Sequence, residues 1–215
     1  MIALDNVSKV YHGQSVDNEV LRGVSLTINR GDSIGVFGAN GVGKSTLMKI
    51  IAGVERPTSG KVRRTMTVSW PIGYSSAFQT SLTGADNARF IARIYEKPIQ
   101  ETVDFVEDFA ELGEYYRLPV RTYSSGMIMR LGFALSLAVD FECYLVDEVI
   151  AVGDTRFGER CRVALNERQQ KSALLLVSHI PATVQAFCTS AAVLNDGRLT
   201  RYDDLDEAIA VYQAA

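Results

Sequence analysis

Residues Gly38-Ala39-Asn40-Gly41-Val42-Gly43-Lys44-Ser45 fit the pattern G-x-x-x-x-G-K-[ST], a phosphate-binding P-loop. An apolar run, Ser33-Ile34-Gly35-Val36-Phe37, precedes them and reads as a buried strand; Thr46-Leu47-Met48-Lys49-Ile50-Ile51-Ala52 follows and reads as a helix. A strand that turns through glycines into a helix can turn several N–H groups toward one anion. The helix start adds unpaired donors and a partial positive charge. Lys44 is then expected to bridge the β- and γ-phosphates, and the Ser45 hydroxyl to ligate Mg²⁺. A Gly-rich surface turn could match the same pattern, but not with a strand before it and a helix after it.

A second signal lies a hundred residues on. Tyr144-Leu145-Val146-Asp147-Glu148 is an apolar strand ending in two carboxylates. Ligands of an open α/β sheet sit at the carboxyl ends of its strands. Asp147 is thus placed to hold Mg²⁺, directly or through water, and Glu148 to orient and polarise the attacking water. The next apolar strand, residues 174–177, ends in Ser178-His179, where His179 could bond the γ-phosphate or help hold Glu148. Tyr123-Ser124-Ser125-Gly126-Met127 opens a helix; by itself Ser124 reads either as an N-cap or as part of an anion site.

Around these motifs the chain alternates. Strands are expected at 2–7, 20–28, 61–64, 67–70 and 143–146, and a hairpin over 191–202 turns at Asn195-Asp196-Gly197. Asp203 or Asp204 caps a last helix running toward Tyr212. From about residue 81 to 139 the pattern is helical. Val103, Val106, Phe109 and Ala110 form one apolar stripe, and Ile128, Leu131, Leu135 and Ala138 another. Helices inserted between strands of one sheet suggest an α/β chain of one domain, 1–215, with 81–139 as a helical subdomain.

Composition narrows the function. The 215 residues carry a net charge of −3, without the basic footprint of a nucleic-acid-binding surface. Cys143, Cys161 and Cys188 are far apart, and with two histidines they argue for core thiols rather than a zinc site. The longest apolar run, 131–139, is about half what a membrane span requires. No signal peptide is visible. Any membrane role is expected to come through a partner.

Taken in order, P-loop, Gln79, Tyr-Ser-Ser-Gly-Met, Asp147-Glu148 and His179, the chain resembles an ATP-binding cassette (ABC) ATPase over almost its full length. The resemblance implies a P-loop NTPase (RecA-like) mixed-sheet core with an antiparallel β subdomain and an inserted helical subdomain. It implies that ATP is bound by Tyr11, stacked on adenine, and by Gly38, Ala39, Asn40, Gly41, Val42, Gly43, Lys44, Ser45 and Thr46. Mg²⁺ would be held by Ser45, Gln79 and Asp147. Ser124, Ser125, Gly126 and Asp154 would act in trans across an ATP-bound homodimer, which favours the anion-site reading of Ser124. The family signature is Leu-Ser-Gly-Gly-Gln, so Ser125 and Met127 are departures. Those departures, with Asp-Glu-Val-Ile-Ala-Val-Gly-Asp over 147–154, are similar to the polysaccharide-exporting branch, above all to capsule exporters.

The resemblance further implies two copies of a polytopic permease at the cytoplasmic face of the bacterial inner membrane. The permease would handle the polysaccharide. Alternatives in the same fold are an O-antigen or teichoic-type exporter, a small-solute importer, or a non-transport ABC ATPase. The last usually carries a long coiled-coil insertion or a second cassette, whereas about eighty residues separate Lys44 from Ser124 here.

Overall fold

In the computed structural model, which describes residues 1–13, 16–72, 78–147 and 155–214, the expected strand–loop–helix is present. The chain opens with β1 (Ile2–His12), β2 (Asp17–Ile28) and β3 (Ser33–Phe37), then α1 (Lys44–Ala52) and β4 (Ser59–Arg64). Three helices follow, α2 (Gly84–Ile94), α3 (Ile99–Ala110) and α4 (Ser125–Leu137), with two 3-10 turns between the last two. Next come β5 (Cys143–Asp147), α5 (Thr155–Gln169), β6 (Ala173–Val177), α6 (Pro181–Phe187), β7 (Ser190–Asn195), β8 (Arg198–Tyr202) and α7 (Leu205–Ala214). The described residues of Met1–Pro71, Phe141–Glu148 and Leu165–Ala215 form one compact unit; those of Ile72–Asp140 and Val149–Ala164 form a second.

The first unit holds two sheets. One is antiparallel, in the order β2-β1-β4; the other is mixed, in the order β5-β6-β3-β7-β8, with only the β7–β8 pair antiparallel. β3 and β6 are buried at every position, as continuous apolar runs in a parallel sheet demand. β2 instead buries Leu21, Val24, Leu26 and Ile28 and exposes the residues between them, so one face meets the core. That core joins Ile2 and Leu4 of β1, Leu47, Ile50 and Ile51 of α1, and Leu145 and Leu175 of the mixed sheet. The α1 helix ends at Gly53, in the left-handed region at φ 80°. Arg64 reaches its open C-terminus, donating from Nε to Ile51 O at 2.8 Å and from Nη2 to Ile50 O.

The β7–β8 hairpin turns as expected, with Asp196 and Gly197 at φ 48° and 74°, the pair of positive angles a type I′ turn needs. Asp204, not Asp203, caps α7: its Oδ1 accepts from the N–H groups of Asp206 and Glu207. Two strand expectations are corrected. β1 runs to His12, past Val7, because bulges let it keep pairing with β2. Residues 67–70 form no strand. Val68 makes one bridge to Cys143, and the Ser69 hydroxyl takes the Leu145 N–H at 2.9 Å, a side chain standing where a ladder carbonyl would be.

The second unit is helical. Thr83 caps α2, accepting the Asp86 N–H at 3.0 Å and donating to the Asp86 carboxylate at 2.7 Å. Val103, Val106, Phe109 and Ala110 are buried along α3 as their spacing indicates. On α4 the burial is wider than a stripe, covering every residue from Leu131 to Leu137, while Ile128 and Ala138 are only half-buried.

Candidate nucleotide-binding site

The P-loop curves from the end of β3 to the start of α1, and two of its glycines are dictated by space. A Cβ on Gly38 would lie 2.6 Å from Leu194 O in the neighbouring strand β7. Gly43, the N-cap of α1, has φ 115°, and a Cβ there would lie 2.7 Å from Val20 Cγ1. With no side-chain cap and no acidic residue in its first turn, α1 leaves its N-terminal N–H groups for a ligand. The Lys44 side chain folds back across the loop and is only 8% exposed. Its Nζ donates to Gly38 O at 2.6 Å and to Ala39 O at 3.0 Å, which holds the ammonium inside the curve. Ser45 is exposed and Thr46 half-buried.

Beside the loop, the Tyr11 hydroxyl and Thr46 Oγ1 are 3.3 Å apart and share a hydrogen bond. Lys9 Nζ lies 4.9 Å from the centre of the Tyr11 ring and pairs with Glu55 at 2.8 Å. Burial acts to raise the Glu55 carboxyl, but hydrogen bonds from Lys9 and Tyr11 outweigh it and hold it below its ordinary value. One face of Tyr11 therefore carries a cation, and the residue is 38% exposed. The sequence reading missed Lys9 and Glu55, and no local pattern announces them.

Asp147 ends β5 opposite Val177 of β6, and Val177 in turn lies opposite Val36 of β3. β6 runs on into buried Ser178, whose N–H reaches Val36 O at 3.3 Å, and then into exposed His179. Gly38, Asp147 and His179 thus leave the carboxyl ends of three adjacent parallel strands, the edge on which α/β sheets bind ligands. A hydroxyl and a carboxylate, Ser45 and Asp147, are the hard oxygen donors Mg²⁺ takes. The glycine cradle and its lysine suit a polyphosphate.

In the second unit, Ser124 is the N-cap of α4, its Oγ accepting the Met127 N–H at 3.3 Å, with Ser125 exposed beside it. A Cβ on Gly126 would meet none of the described residues within 4 Å. The Gln79 backbone is fixed at both ends by Asn87: Gln79 N donates to Asn87 Oδ1 at 2.8 Å and Gln79 O accepts from Asn87 Nδ2 at 3.0 Å. Asn87 is 1% exposed and went unrecognised in the sequence; a polar residue on the buried face of an amphipathic helix was the available signal. Glu148 and Asp154 lie outside the described residues.

The ABC transporter family matches this chain over residues 21–151. The chain is 48% identical over 212 residues to the ATP-binding protein BexA of Haemophilus influenzae, covering 99% of this chain and 98% of that protein. It is also 48% identical over 214 residues to the capsule polysaccharide export ATP-binding protein CtrD of Neisseria meningitidis serogroup B, covering 100% and 99%. Among solved structures, the ATP-binding cassette MJ0796, a dimer in a post-hydrolysis state bound to ADP and Pi, superposes with a TM-score of 0.83 at 22% identity over 95% of this chain and 99% of that one. With a P-loop, a strand-end aspartate and a strand-end histidine on one sheet edge, and relatives matched end to end, the chain belongs to the ABC transporter family, as one of its ATP-hydrolysing subunits.

Proposed function

We propose that this ATPase powers the export of a capsule polysaccharide through a polytopic permease, to which it attaches as a peripheral subunit on the cytoplasmic face of the inner membrane. The observation that carries this reading is the 48% identity to CtrD along the whole of both chains. No helix among the described residues is long and apolar enough to cross a membrane, which agrees with a separate membrane subunit.

In this reading the cradle from Gly38 to Thr46 binds the phosphates of ATP, and Tyr11 offers its open face to adenine. On binding, Lys44 exchanges the Gly38 and Ala39 carbonyls for β- and γ-phosphate oxygens. Ser45, Asp147 and Gln79 would hold a magnesium ion, which would supply charge neutralisation at the transferred phosphate. Glu148 orients the attacking water, and His179 bonds the γ-phosphate or helps hold Glu148. Ser124, Ser125 and Gly126 of a second copy close over the γ-phosphate, and Asp154 links the two sites. Loss of the γ-phosphate releases that closure, so hydrolysis opens the dimer.

The test uses cells of the source organism lacking this gene. Surface and intracellular polysaccharide are measured after rescue with the parental gene or with Glu148→Gln. Polymer trapped inside, returned to the surface only by the parental gene, supports ATP-driven export. Unchanged surface polymer in the deletion strain removes the assignment and leaves an ABC ATPase of other cargo.

A further inference from the structure

Helix α3 ends in an unusual way. Glu111 follows it at φ 49°, in the left-handed region where glycine is favoured, although Gly113 stands only two residues on. A strained residue of this kind persists where its surroundings hold it. Here the surroundings are arginines from two other helices. Arg160 of α5 donates to Glu111 Oε1 at 2.8 Å, and Arg130 of α4 approaches Glu111 Oε2 at 3.6 Å. One carboxylate oxygen thus faces each helix. The guanidinium groups are used twice. Arg130 lies 4.5 Å over the ring of Phe157 on α5, and Arg160 lies 4.8 Å over the ring of Phe109 on α3. Arg160 also pairs with Asp108. Beneath them Phe109 and Phe133 stack at 6.1 Å, and both meet Phe157 edge-on.

These groups differ from an ordinary surface ion pair. The side chains of Glu111, Arg130 and Arg160 are 30, 21 and 32% exposed, whereas Arg156, 3.5 Å from the same carboxylate, is 85% exposed. Partly buried, cross-braced charges hold geometry in a way fully exposed pairs do not. Every member belongs to the second compact unit. Arg130 is six residues along α4 from Ser124, roughly 9 Å at the helical rise. A small rotation of α4 about this brace therefore displaces its signature end.

We propose that Glu111 is a positioning residue for the trans phosphate contact: acting through Arg130, it sets the angle at which the Ser124–Gly126 end of α4 meets the γ-phosphate bound to a second copy. This rests on the two-copy reading given above. Its consequence is a split between two measurements. A single chain binds ATP through its P-loop, which belongs to the first compact unit. Only ATP-driven pairing of two chains uses the signature.

The experiment compares the parental chain with Glu111→Gln and Arg130→Gln, using a non-hydrolysable ATP analogue with Mg²⁺. Nucleotide affinity is measured at a concentration where the chain is monomeric, and pairing by light scattering at higher concentration. Expected are nucleotide affinities within about twofold of the parental value, with pairing weakened tenfold or more in both variants and unchanged in Arg156→Gln. Two variants approach the brace from opposite sides, so misfolding of one, seen by melting, leaves the other as the test. Parental pairing in the folded variants overturns the proposal. So does a nucleotide affinity that falls in step with pairing, since that marks a general support of the fold. A parental chain that stays monomeric with the analogue removes the two-copy reading, and the proposal with it.

Discussion

Lys44→Ala separates what the lysine does for the nucleotide from what it does for the loop. Its ammonium already makes two charge-assisted hydrogen bonds, to Gly38 O at 2.6 Å and Ala39 O at 3.0 Å. Such bonds contribute about 1.5–3 kcal/mol each. When ATP arrives the ammonium does not begin from water. It changes neutral carbonyl partners for anionic oxygens, and with three donors it can keep one carbonyl while giving the others to phosphate. The affinity at stake is therefore the gain on exchange, about 2–3 kcal/mol, or about 30- to 150-fold in Kd. The loop itself loses less. The Gly38 bond is buried and the Ala39 bond partly so, but removing the lysine side chain opens the cradle to water, which replaces the ammonium, so a loss of about 1 kcal/mol lowers Tm by about 2–4 °C. Calorimetric titration with a non-hydrolysable analogue, beside a melting curve, reads both quantities on one sample. Hydrolysis should fall to background. Lys44→Arg should not rescue it, because a planar fork cannot take the place of a compact, 8% exposed ammonium. An alanine variant that binds within about threefold of the parental chain and turns over normally refutes the exchange argument, because about 0.7 kcal/mol is less than one charge-assisted bond.

Gly38→Ala drives a methyl group to 2.6 Å from Leu194 O, so the loop or β7 must move; overpacking of about 1–3 kcal/mol should appear as a lower Tm, with nucleotide affinity reduced in titration. Tyr11→Ala removes the stacking platform and should raise the KM for ATP by about 1–3 kcal/mol equivalent, whereas Tyr11→Phe keeps the ring, loses the hydroxyl's contacts with Thr46 at 3.3 Å and with Glu55, and should stay within about twofold. The three thiols are pushed up to about 12 by burial. They should resist iodoacetamide in the folded protein at pH 9 and react in urea. Their folded pKa lies above the unfolded value near 9, so the stability they contribute is complete below pH 9 and should fall as pH rises toward 12.

Features carried by short-range chemistry were legible in the sequence. The P-loop was, because its strand, glycine-rich turn, lysine and helix follow one another in consecutive positions. So were the Asp196-Gly197 turn and the carboxyl-end placement of Asp147 and His179, which follow from apolar runs ending in polar residues. Features that depend on partners distant in sequence were not. Residues 67–70 look like a strand by composition, yet they pair only at the Val68–Cys143 bridge, beyond which the Ser69 side chain takes the Leu145 N–H. Asn87 appears polar and ordinary until its side chain is seen holding both backbone groups of Gln79. Glu111 reads as one acid in a charged stretch, and only tertiary structure gathers Arg130 and Arg160 around it. The roles proposed for Gln79 and Tyr11 come from family resemblance alone.

Two readings of Ser124, helix cap and phosphate contact, are compatible, since a hydroxyl that accepts the Met127 N–H at 3.3 Å still has its own proton to donate. Gly126 tells them apart from a mere cap. It sits in the first turn of α4, outside the left-handed region, and a Cβ there would meet none of the described residues within 4 Å. Nothing among the described residues asks for glycine, and glycine in a helix is about 0.5–1 kcal/mol worse than alanine. An alanine should therefore stabilise the isolated chain. If a second copy brings its γ-phosphate against this backbone, the same methyl group obstructs the approach. Gly126→Ala should then raise Tm by about 1–4 °C while lowering ATPase activity and ATP-driven pairing. Opposite signs from one methyl group are hard to obtain from a purely structural serine–glycine turn. A variant that gains stability and keeps full activity would falsify the trans role of this helix end.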